Sequence, residues 1–447
     1  MSDRPDFTIE IHQNPYLPVG GTRVHAVARV AAEGGPAASA ARSASAAEVI
    51  IVDTSASMVG ERLVAAKRAA KGAVDALRED VDFAVVSGAH EAEMVYPRDP
   101  LLARATDERK ADATAAISKL SASGGTRIGR WLTLADTLFS GYQHAIRHTV
   151  LLTDGQNEHE SAEELDAVLA RCAGRFVCDC RGVGADWEPA ELRRVATALL
   201  GGFGMVADPA DLAADFAGMI ENAMGKAVAD VALRVWTPHG AELHFVKQVY
   251  PTRRDLSAAG DADGDPPPDG PATRDYPTGL WGVERRDYHL CVSVPAGRPD
   301  QNMLAARVSL VLPGGDVPED EPLAVGNVVA RWTDDSAQST RRHPAVEHYS
   351  KQGELADSVQ NWRAAYEGGD EGAAAEELRR ARELAEQTGS RMISRRLDRL
   401  MDPVTGAVLP KKDVDTADVK GLDTESSESA EPPATIPLPP GEGEDGA

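Results

Sequence analysis

The chain has 447 residues, of which 42% are hydrophobic and 5% aromatic, enough for two or three domains at roughly 100–200 residues each. Its formal net charge of −24 argues against nucleic acid as the main partner and against binding to an anionic membrane surface. The first residues contain no basic stretch followed by an apolar run, and no segment approaches ~18 apolar residues. We therefore expect no signal peptide, no membrane insertion and a cytoplasmic location.

The hydrophobic pattern changes twice along the first half of the chain. Residues 1–46 contain two alternating segments around a turn, which predicts N-terminal strands, and end in an Ala/Gly/Ser-rich stretch. From 47 to 224, short apolar segments alternate with segments of helical periodicity. That alternation predicts an α/β domain with a mostly parallel sheet covered by helices on both faces.

The second half of the chain predicts three further regions. Residues 225–340 return to a period of two, so we expect a β-sandwich that the strands of 1–46 complete, with the α/β domain inserted in it or next to it. Residues 341–401 predict a short helical region whose apolar stripes form core contacts, a peptide-binding groove being the alternative. Residues 402–447 hold 11 acidic and 3 basic residues with many Pro, Gly and Ser, which predicts a disordered acidic tail.

The cysteines and two histidines show no catalytic or metal-binding pattern. We expect buried thiols rather than a disulfide or a metal role, because the spacing does not match a CxxC pair, at Cys172, Cys178, Cys180 and Cys291. His144 and His148 lie four residues apart without an HExxH pattern. A position on a helix surface or at a helix end is the simplest explanation for these two histidines.

Polar oxygen donors follow two of the predicted parallel strands. The strand EVIIV runs into Asp53, Ser55 and Ser57, Thr126 lies in GGTRIG at the start of a helix, and the strand TVLLT ends at Asp154. Ligands of open α/β sheets gather at the carboxyl ends of strands. Carboxylate and hydroxyl oxygens suit Mg²⁺, and Mn²⁺ accepts the same ligands. We therefore predict a metal site, with helix caps and turn residues as the alternative explanation.

The three motifs DTSAS, GGTRIG and LLTDG resemble the metal-ion-dependent adhesion site of von Willebrand factor A domains, over about residues 47–224. The resemblance implies a Rossmann-like fold. It also implies that Ser55, Ser57 and Thr126 are direct ligands, whereas Asp53 and Asp154 lie close to the metal and often bind it through water. An open metal position would attract a Glu or Asp of a partner protein, because two carboxylates and neutral hydroxyls leave the ion poorly neutralised.

A protein-binding module is the function that these observations favour. We expect a Mg²⁺-dependent scaffold, and the resemblance implies an association with Ser/Thr kinases and forkhead-associated domains. The alternatives are an accessory subunit of an AAA-type ATPase machine and a purely structural metal site. We expect no enzymatic activity, because the sequence contains no GxSxG or Walker A motif, and only Arg127 and His159 lie near the three motifs as candidate bases.

The acidic tail contains two candidate phosphorylation sites. Thr424 lies in DTESSES, and Thr435 precedes an aliphatic residue at the +3 position, a context that resembles the targets of forkhead-associated domains. Phosphorylation would add charge and strong acceptors for an arginine cluster of a kinase or forkhead-associated partner. The alternative is that the tail is unmodified and only solvates the protein.

Overall fold

The computed structural model begins with three strands that belong to two different sheets. It describes residues 5–33, 45–142, 145–154, 157, 159–183, 189–206, 211–226, 228–257, 271–313, 322–402, 409, 414 and 416–429. The first strands are β1 (Asp6–Gln13), β2 (Tyr16–Pro18) and β3 (Arg23–Glu33). β1 and β3 pair antiparallel, as the alternating sequence predicts, while β2 leaves that pair and joins another sheet.

An α/β domain follows. Its strands are β4 (Ala46–Asp53), β5 (Val81–Gly88), β6 (Ala92–Tyr96), β7 (Ala103–Arg104), β8 (Ile146–Thr153), β9 (Val177–Val183) and β10 (Phe203–Val206). Its helices are α1 (Glu61–Ala76), α2 (Asp107–Ser118), α3 (Ile128–Phe139), α4 (Ala162–Cys172), α5 (Pro189–Ala198) and α6 (Leu212–Met224). The sheet order is β10-β9-β8-β4-β5-β6, with β7 also on β5.

The central strand of this domain is buried on both faces. All eight residues of β4 are buried, and β4 pairs in parallel with both β5 and β8. Ile50 and Val52 belong to the core under α1 and α6, whereas Val49 and Ile51 belong to the core under α3, α4 and α5. Helices therefore cover both faces of a mostly parallel sheet, and the predicted Rossmann-like fold is confirmed.

The remaining strands build a two-sheet sandwich. They are β11 (Val228–Thr237), β12 (Glu242–Tyr250), β13 (Arg254–Asp255), β14 (Ala272–Trp281), β15 (Glu284–Ser293), β16 (Asn302–Val311) and β17 (Ala324–Thr333). One sheet has the order β1-β3-β15-β12-β13 and the other β14-β11-β16-β17-β2. The two sheets share one core, which includes Trp281, Tyr288 and Trp332. The N-terminal strands thus complete the sandwich, and the α/β domain is inserted into it.

Helices close the described part of the chain. They are α7 (Ser336–Ser339), α8 (Pro344–Gly368), α9 (Glu371–Thr388), α10 (Arg391–Arg399) and α11 (Thr416–Glu425). The apolar stripe of α8, Leu355, Val359 and Trp362, is buried against α9 and α10, so it forms core contacts as predicted. Among the helices in these ranges, none is both long enough and apolar enough to cross a membrane.

Helix α11 corrects the prediction that residues 402–447 are disordered throughout. Leu422 is fully buried in the core of the helical region, and Val419 packs beside it. The acidic residues of α11 contact arginines: Arg193 of α5 and Arg363 of α8 both contact Asp423, and Arg396 of α10 contacts the acids at either end of the helix. The negative charge that predicted disorder is therefore neutralised by ion pairs, and the arginine face of α10 is not simply solvated.

The structure agrees with the prediction for the cysteines and disagrees with it for His148. All four cysteines are free and buried, as predicted. His148 lies on β8 and is fully enclosed, so its predicted helical position is wrong; His144 lies outside the described residues. Although burial opposes its protonation, Glu48 of β4 and Asp179 of β9 raise the pKa of His148 to about 10. The spacing of four residues that indicated a helix therefore has no structural significance for His148.

Candidate metal site

Asp53 ends the central strand in a dry environment. Its side chain is fully buried; Oδ1 accepts a hydrogen bond from the Ser55 backbone N–H at 2.7 Å, and Oδ2 accepts one from the Thr153 hydroxyl at 2.5 Å. Burial raises the pKa of Asp53 to about 6, and the nearby Asp154 carboxylate adds to the rise while the hydrogen bonds oppose it. A cation close to Asp53 would reverse this shift, because it stabilises the ionised carboxylate.

Ser55, Ser57 and Asp154 form a continuous group of oxygen atoms beside Asp53. The two serine Oγ atoms lie 3.0 Å apart, and the Ser57 hydroxyl donates to Asp154 Oδ1 at 2.8 Å. Asp154 follows β8, the parallel neighbour of β4, so strand pairing brings the two motifs to the same sheet edge. Ser57 is exposed, whereas Ser55 and Asp154 are buried, which leaves the group open to solvent on one side only.

The loop that carries Thr126 lies against the loop after β4. The Ala56 N–H donates to the Gly124 carbonyl at 2.9 Å, and the Ser123 N–H donates to the Thr54 carbonyl at 2.8 Å. Gly124 has a φ of +81°, a conformation that favours glycine. Thr126 is 5% exposed, so its side chain is enclosed by this arrangement. The structure thus brings the three sequence motifs together, Thr126 through the backbone of its loop and the others by side-chain contact.

Two side chains after β8 hold the start of α3. Asn157 Oδ1 accepts from the Ile128 N–H at 3.0 Å, and Glu160 Oε2 accepts from the Gly129 N–H at 2.8 Å. A Cβ at Gly129 would overlap the Glu160 carboxylate, which explains the last glycine of GGTRIG. These contacts fix the position of the helix that follows Thr126, and they tie it to the strand that carries Asp154.

The two candidate bases, His159 and Arg127, lie beside the loop that carries Thr126. His159 Nδ1 accepts from the Thr126 backbone N–H at 3.4 Å, and the His159 ring packs edge-on against His90 at 5.9 Å. The Arg127 N–H donates to the Ala89 carbonyl at 3.2 Å. His159 therefore supports the loop at Thr126, whereas Arg127 contacts the loop after β5 through its backbone, and its buried Nε has no hydrogen-bond partner in the described part of the chain.

Arg62 is a member of the site that the sequence analysis missed. It lies in the first turn of α1, and its Nη1 donates to Asp154 Oδ2 at 2.7 Å. The two residues are 92 positions apart, so no local pattern connects them. The sequence does show that Arg62 begins the helix that follows DTSAS. This was the available indication, because the N-terminus of α1 faces the same sheet edge. Asp154 therefore offers one oxygen to Arg62 and the other to Ser57.

The donor set fits a divalent cation. Carboxylate and hydroxyl oxygens are the hard ligands that Mg²⁺, Ca²⁺ and Mn²⁺ favour, and here they meet at one point of the sheet edge. The raised pKa of Asp53 is the second observation, because a bound cation would stabilise the ionised form of this buried carboxylate. The candidate ligands that side-chain contacts bring together are Ser55, Ser57 and Asp154, with Asp53 beside them, and Thr126 stays a predicted ligand that only the backbone of its loop brings near.

Of the two candidate phosphorylation sites, Thr424 lies in the described part of the chain. Thr424 is in α11, is 8% exposed, and its hydroxyl donates to the Lys420 carbonyl at 3.0 Å. A kinase can reach this hydroxyl only after α11 has left its position, so the folded state disfavours modification of Thr424. Thr435 lies outside the described residues.

Comparisons with known proteins match both the motifs and the whole chain. The family model for the von Willebrand factor type A domain matches residues 47–203. A solved structure, von Willebrand factor type A from Catenulispora acidiphila, is 42% identical, covers 96% of this chain and 98% of its own, and superposes with a TM-score of 0.89. The ArnB paralog VWA2 from Sulfolobus acidocaldarius shares the fold at 12% identity and a TM-score of 0.58, over 95% of this chain and 100% of that one.

One curated sequence is also similar. An uncharacterized protein of Synechocystis sp. is 27% identical over 213 residues, which cover 46% of this chain and 49% of that protein. The chain therefore spans about half the length of this relative, and the similarity extends to only part of each protein.

Proposed function

Because this chain belongs to the von Willebrand factor type A family, we propose that its metal site is a metal-ion-dependent adhesion site, which binds Mg²⁺ and through it a Glu or Asp of a partner protein. The observation that carries the proposal is the continuous oxygen group of Ser55, Ser57 and Asp154 beside the buried Asp53. Mn²⁺ would replace Mg²⁺, since it accepts the same oxygen ligands.

The charge balance of the site favours an acidic partner. Asp53 and Asp154 carry two negative charges, and Arg62 returns one positive charge at 2.7 Å from Asp154. For these three groups alone, a bound divalent cation brings the summed charge to +1 at an edge where Ser57 is open to solvent. A carboxylate from outside would neutralise it.

Apolar contacts around the metal would supply the rest of the affinity. Association costs about 4–15 kcal/mol in lost freedom, so a single metal–carboxylate contact is insufficient. Val59, directly after the single helical turn Ala56–Met58, is 67% exposed, and Val64 on α1 is 58% exposed. Exposed aliphatic side chains next to an anion-binding centre are suited to a protein surface that presents an acidic residue among apolar ones.

We infer a binding module rather than an enzyme. His159 Nδ1 already accepts a hydrogen bond from the Thr126 backbone N–H, and the guanidinium of Arg127 offers no acceptor for a proton, so neither side chain is suited to act as a base. The cellular context that we propose is a cytoplasmic Ser/Thr kinase circuit with forkhead-associated proteins, in which Thr435 is the better candidate phosphorylation site because Thr424 is buried.

The first experiment measures the metal directly. The full chain is titrated with Mn²⁺, binding is monitored by electron paramagnetic resonance, and Mg²⁺ is then added as a competitor. The titration should show one saturable site. Asp53→Ala should abolish it, whereas Ser118→Ala should bind as the wild type does, because the exposed Ser118 hydroxyl donates within α2 and lies outside the site. Equal Mn²⁺ binding by wild type and Asp53→Ala would refute the metal site.

The second experiment tests the partner. Wild type and Asp53→Ala serve as bait in lysate from the native organism, each with Mg²⁺ and with EDTA. A protein retained by wild type with Mg²⁺ alone supports the adhesion site, and its identity as a kinase-circuit component or an ATPase decides between the proposal and the ATPase alternative. Equal retention in all four conditions removes the metal site from recognition. A partner-independent loss of stability in Asp53→Ala, seen only with metal, would favour a structural ion.

A further inference from the structure

A polar cavity, separate from the metal site, lies between the α/β domain and the sandwich. It has a volume of about 240 Å³ and is lined by the start of β8, by β9 and the Gly201-Gly202 turn before β10, and by β12, β13 and β15. Since β8 and β10 are parallel members of one sheet, their starts lie at the edge opposite to the metal site. The cavity is therefore a separate place in the fold.

The wall of this cavity contains more positive than negative side chains. The cations are Arg181, Lys226, Arg254 and Arg286, with His148 behind them, and the carboxylates in the wall are Asp179 and Glu284. Glu284 is 2.9 Å from both Lys226 and Arg286. Asp179 is 3.1 Å from His148 Nε2. Both carboxylates are therefore already neutralised by partners other than Arg254.

The remaining cations are balanced from outside the cavity, with one exception. Asp215 of α6 pairs with Arg181 at 2.7 Å, and Glu48 pairs with His148 at 2.8 Å. Arg254 donates from Nη2 to the Gly201 carbonyl at 2.6 Å, and no carboxylate in the described part of the chain forms an ion pair with it. Arg254 is therefore a cavity cation without an ion-pair partner among the described residues, and Asp179 acts on it only through space.

The surroundings make this charge unfavourable without a counter-ion. Burial and the neighbouring Arg286 lower the pKa of Arg254 to about 10. Removing a cation from water is costly unless an anion accompanies it. Gly201 packs closely against β9, because a Cβ at that position would overlap the Cys178 carbonyl oxygen. The guanidinium therefore donates to a closely packed backbone turn at the wall of a polar space.

We propose that this cavity binds a small oxyanion, such as inorganic phosphate, with Arg254 as its principal contact. The planar guanidinium matches the geometry of two oxyanion oxygens. The size of the cavity limits the ligand, because pockets for drug-sized molecules occupy about 300–1,000 Å³. At about 30 Å³ per water molecule in the liquid, this volume corresponds to roughly eight waters, which leaves room for a tetrahedral oxyanion.

The test is a calorimetric titration of the full chain with sodium phosphate in EDTA, with sodium chloride of equal ionic strength as the reference. EDTA prevents the adhesion site from binding phosphate through a metal. Wild type should show saturable one-to-one binding, and Arg254→Met should weaken it at least about tenfold. The matched control is Arg234→Met, on the same sandwich but paired with Asp275 outside the cavity, and it should bind as the wild type does.

Melting in chloride separates a binding role from a structural one. Arg254→Met removes a buried cation that has no ion-pair partner among the described residues, so it should melt no lower than the wild type without phosphate and should lose the phosphate-dependent rise in melting temperature. If Arg254→Met does not fold, Arg254→Lys keeps the charge without the planar fork, and its phosphate binding should fall below that of wild type. Absence of saturable binding in wild type, or equal binding in an Arg254 variant, would overturn the proposal.

Discussion

Asp423 connects three parts of the molecule, and its replacement by asparagine tests how α11 is held. The side chain is 2% exposed. Its Oδ2 accepts from Arg363 Nη1 at 2.8 Å, its Oδ1 lies 2.6 Å from Arg193 Nη2, and Arg193 also donates to its carbonyl oxygen at 3.1 Å. Asp423→Asn keeps the volume and removes the charge, so any effect reports the two ion pairs.

The expected cost follows from the exposure of the two arginines. Removing one member of a fully buried ion pair costs about 3–5 kcal/mol. The side chains of Arg193 and Arg363 are 24% and 16% exposed, so water partly solvates the charges that remain. We therefore expect a loss of about 2–3 kcal/mol in the docking free energy of α11. At ~1.4 kcal/mol per factor of ten, the docking equilibrium constant falls roughly 30- to 150-fold.

Hydrogen exchange of α11 measures this change. A ten-residue helix is marginal on its own, so undocked α11 should lose its amide protection by the same roughly 30- to 150-fold. Asp398→Asn is the control, because Asp398 pairs at 3.3 Å with Arg382 on an exposed surface, and it should leave exchange unchanged. Unaltered protection of α11 in Asp423→Asn would refute the reasoning, as would an equal loss throughout α8 and α9.

Three other substitutions probe the metal site, the buried histidine and a close contact. Ser57→Ala removes a central oxygen of the metal group, so the Mn²⁺ dissociation constant should rise at least about tenfold; an unchanged constant excludes Ser57 as a ligand. Burial opposes protonation of His148, yet its two carboxylate partners raise its pKa from 6.5 to about 10. Its stabilising charge is therefore complete below pH 6.5 and lost toward pH 10, so the gap in urea midpoint between wild type and His148→Gln should shrink from about pH 7 to about pH 10. Gly201→Ala should lose about 1–3 kcal/mol in urea unfolding because its Cβ overlaps backbone, whereas Gly141→Ala, in open space, should match wild type.

The strand-end residues were the part of the site that sequence could place. Asp53 and Asp154 each follow an apolar segment, and parallel strands of one sheet bring such positions to one edge. Ser55 and Ser57 then follow by their spacing from Asp53. The prediction needed only the ends of the apolar segments and the rule that parallel strands of one sheet end at the same edge.

Arg62 and Asp423 were beyond sequence reasoning for a common physical cause. Each takes its role from ion partners distant in sequence: Arg62 pairs with a residue 92 positions away, and Asp423 with arginines 60 and 230 positions away. A prediction of disorder from net charge assumes that each acidic side chain is solvated. A buried acidic side chain between two guanidinium groups instead stabilises the folded segment. Only the three-dimensional arrangement distinguishes these two situations.

The insertion of the α/β domain into the sandwich has a consequence for synthesis on the ribosome. β3 ends at Glu33, and its partner β15 begins at Glu284, so at about 5–20 residues per second the ribosome makes the second strand roughly 13 to 50 s after the first. The β1–β3 hairpin waits through that interval with an unpaired edge, which favours wrong pairing with other chains. The α/β domain has emerged complete by then, and its folding brings Ala46 and Met224 into one hydrophobic core. Early folding of the insert thus shortens the loop that the late sandwich must close.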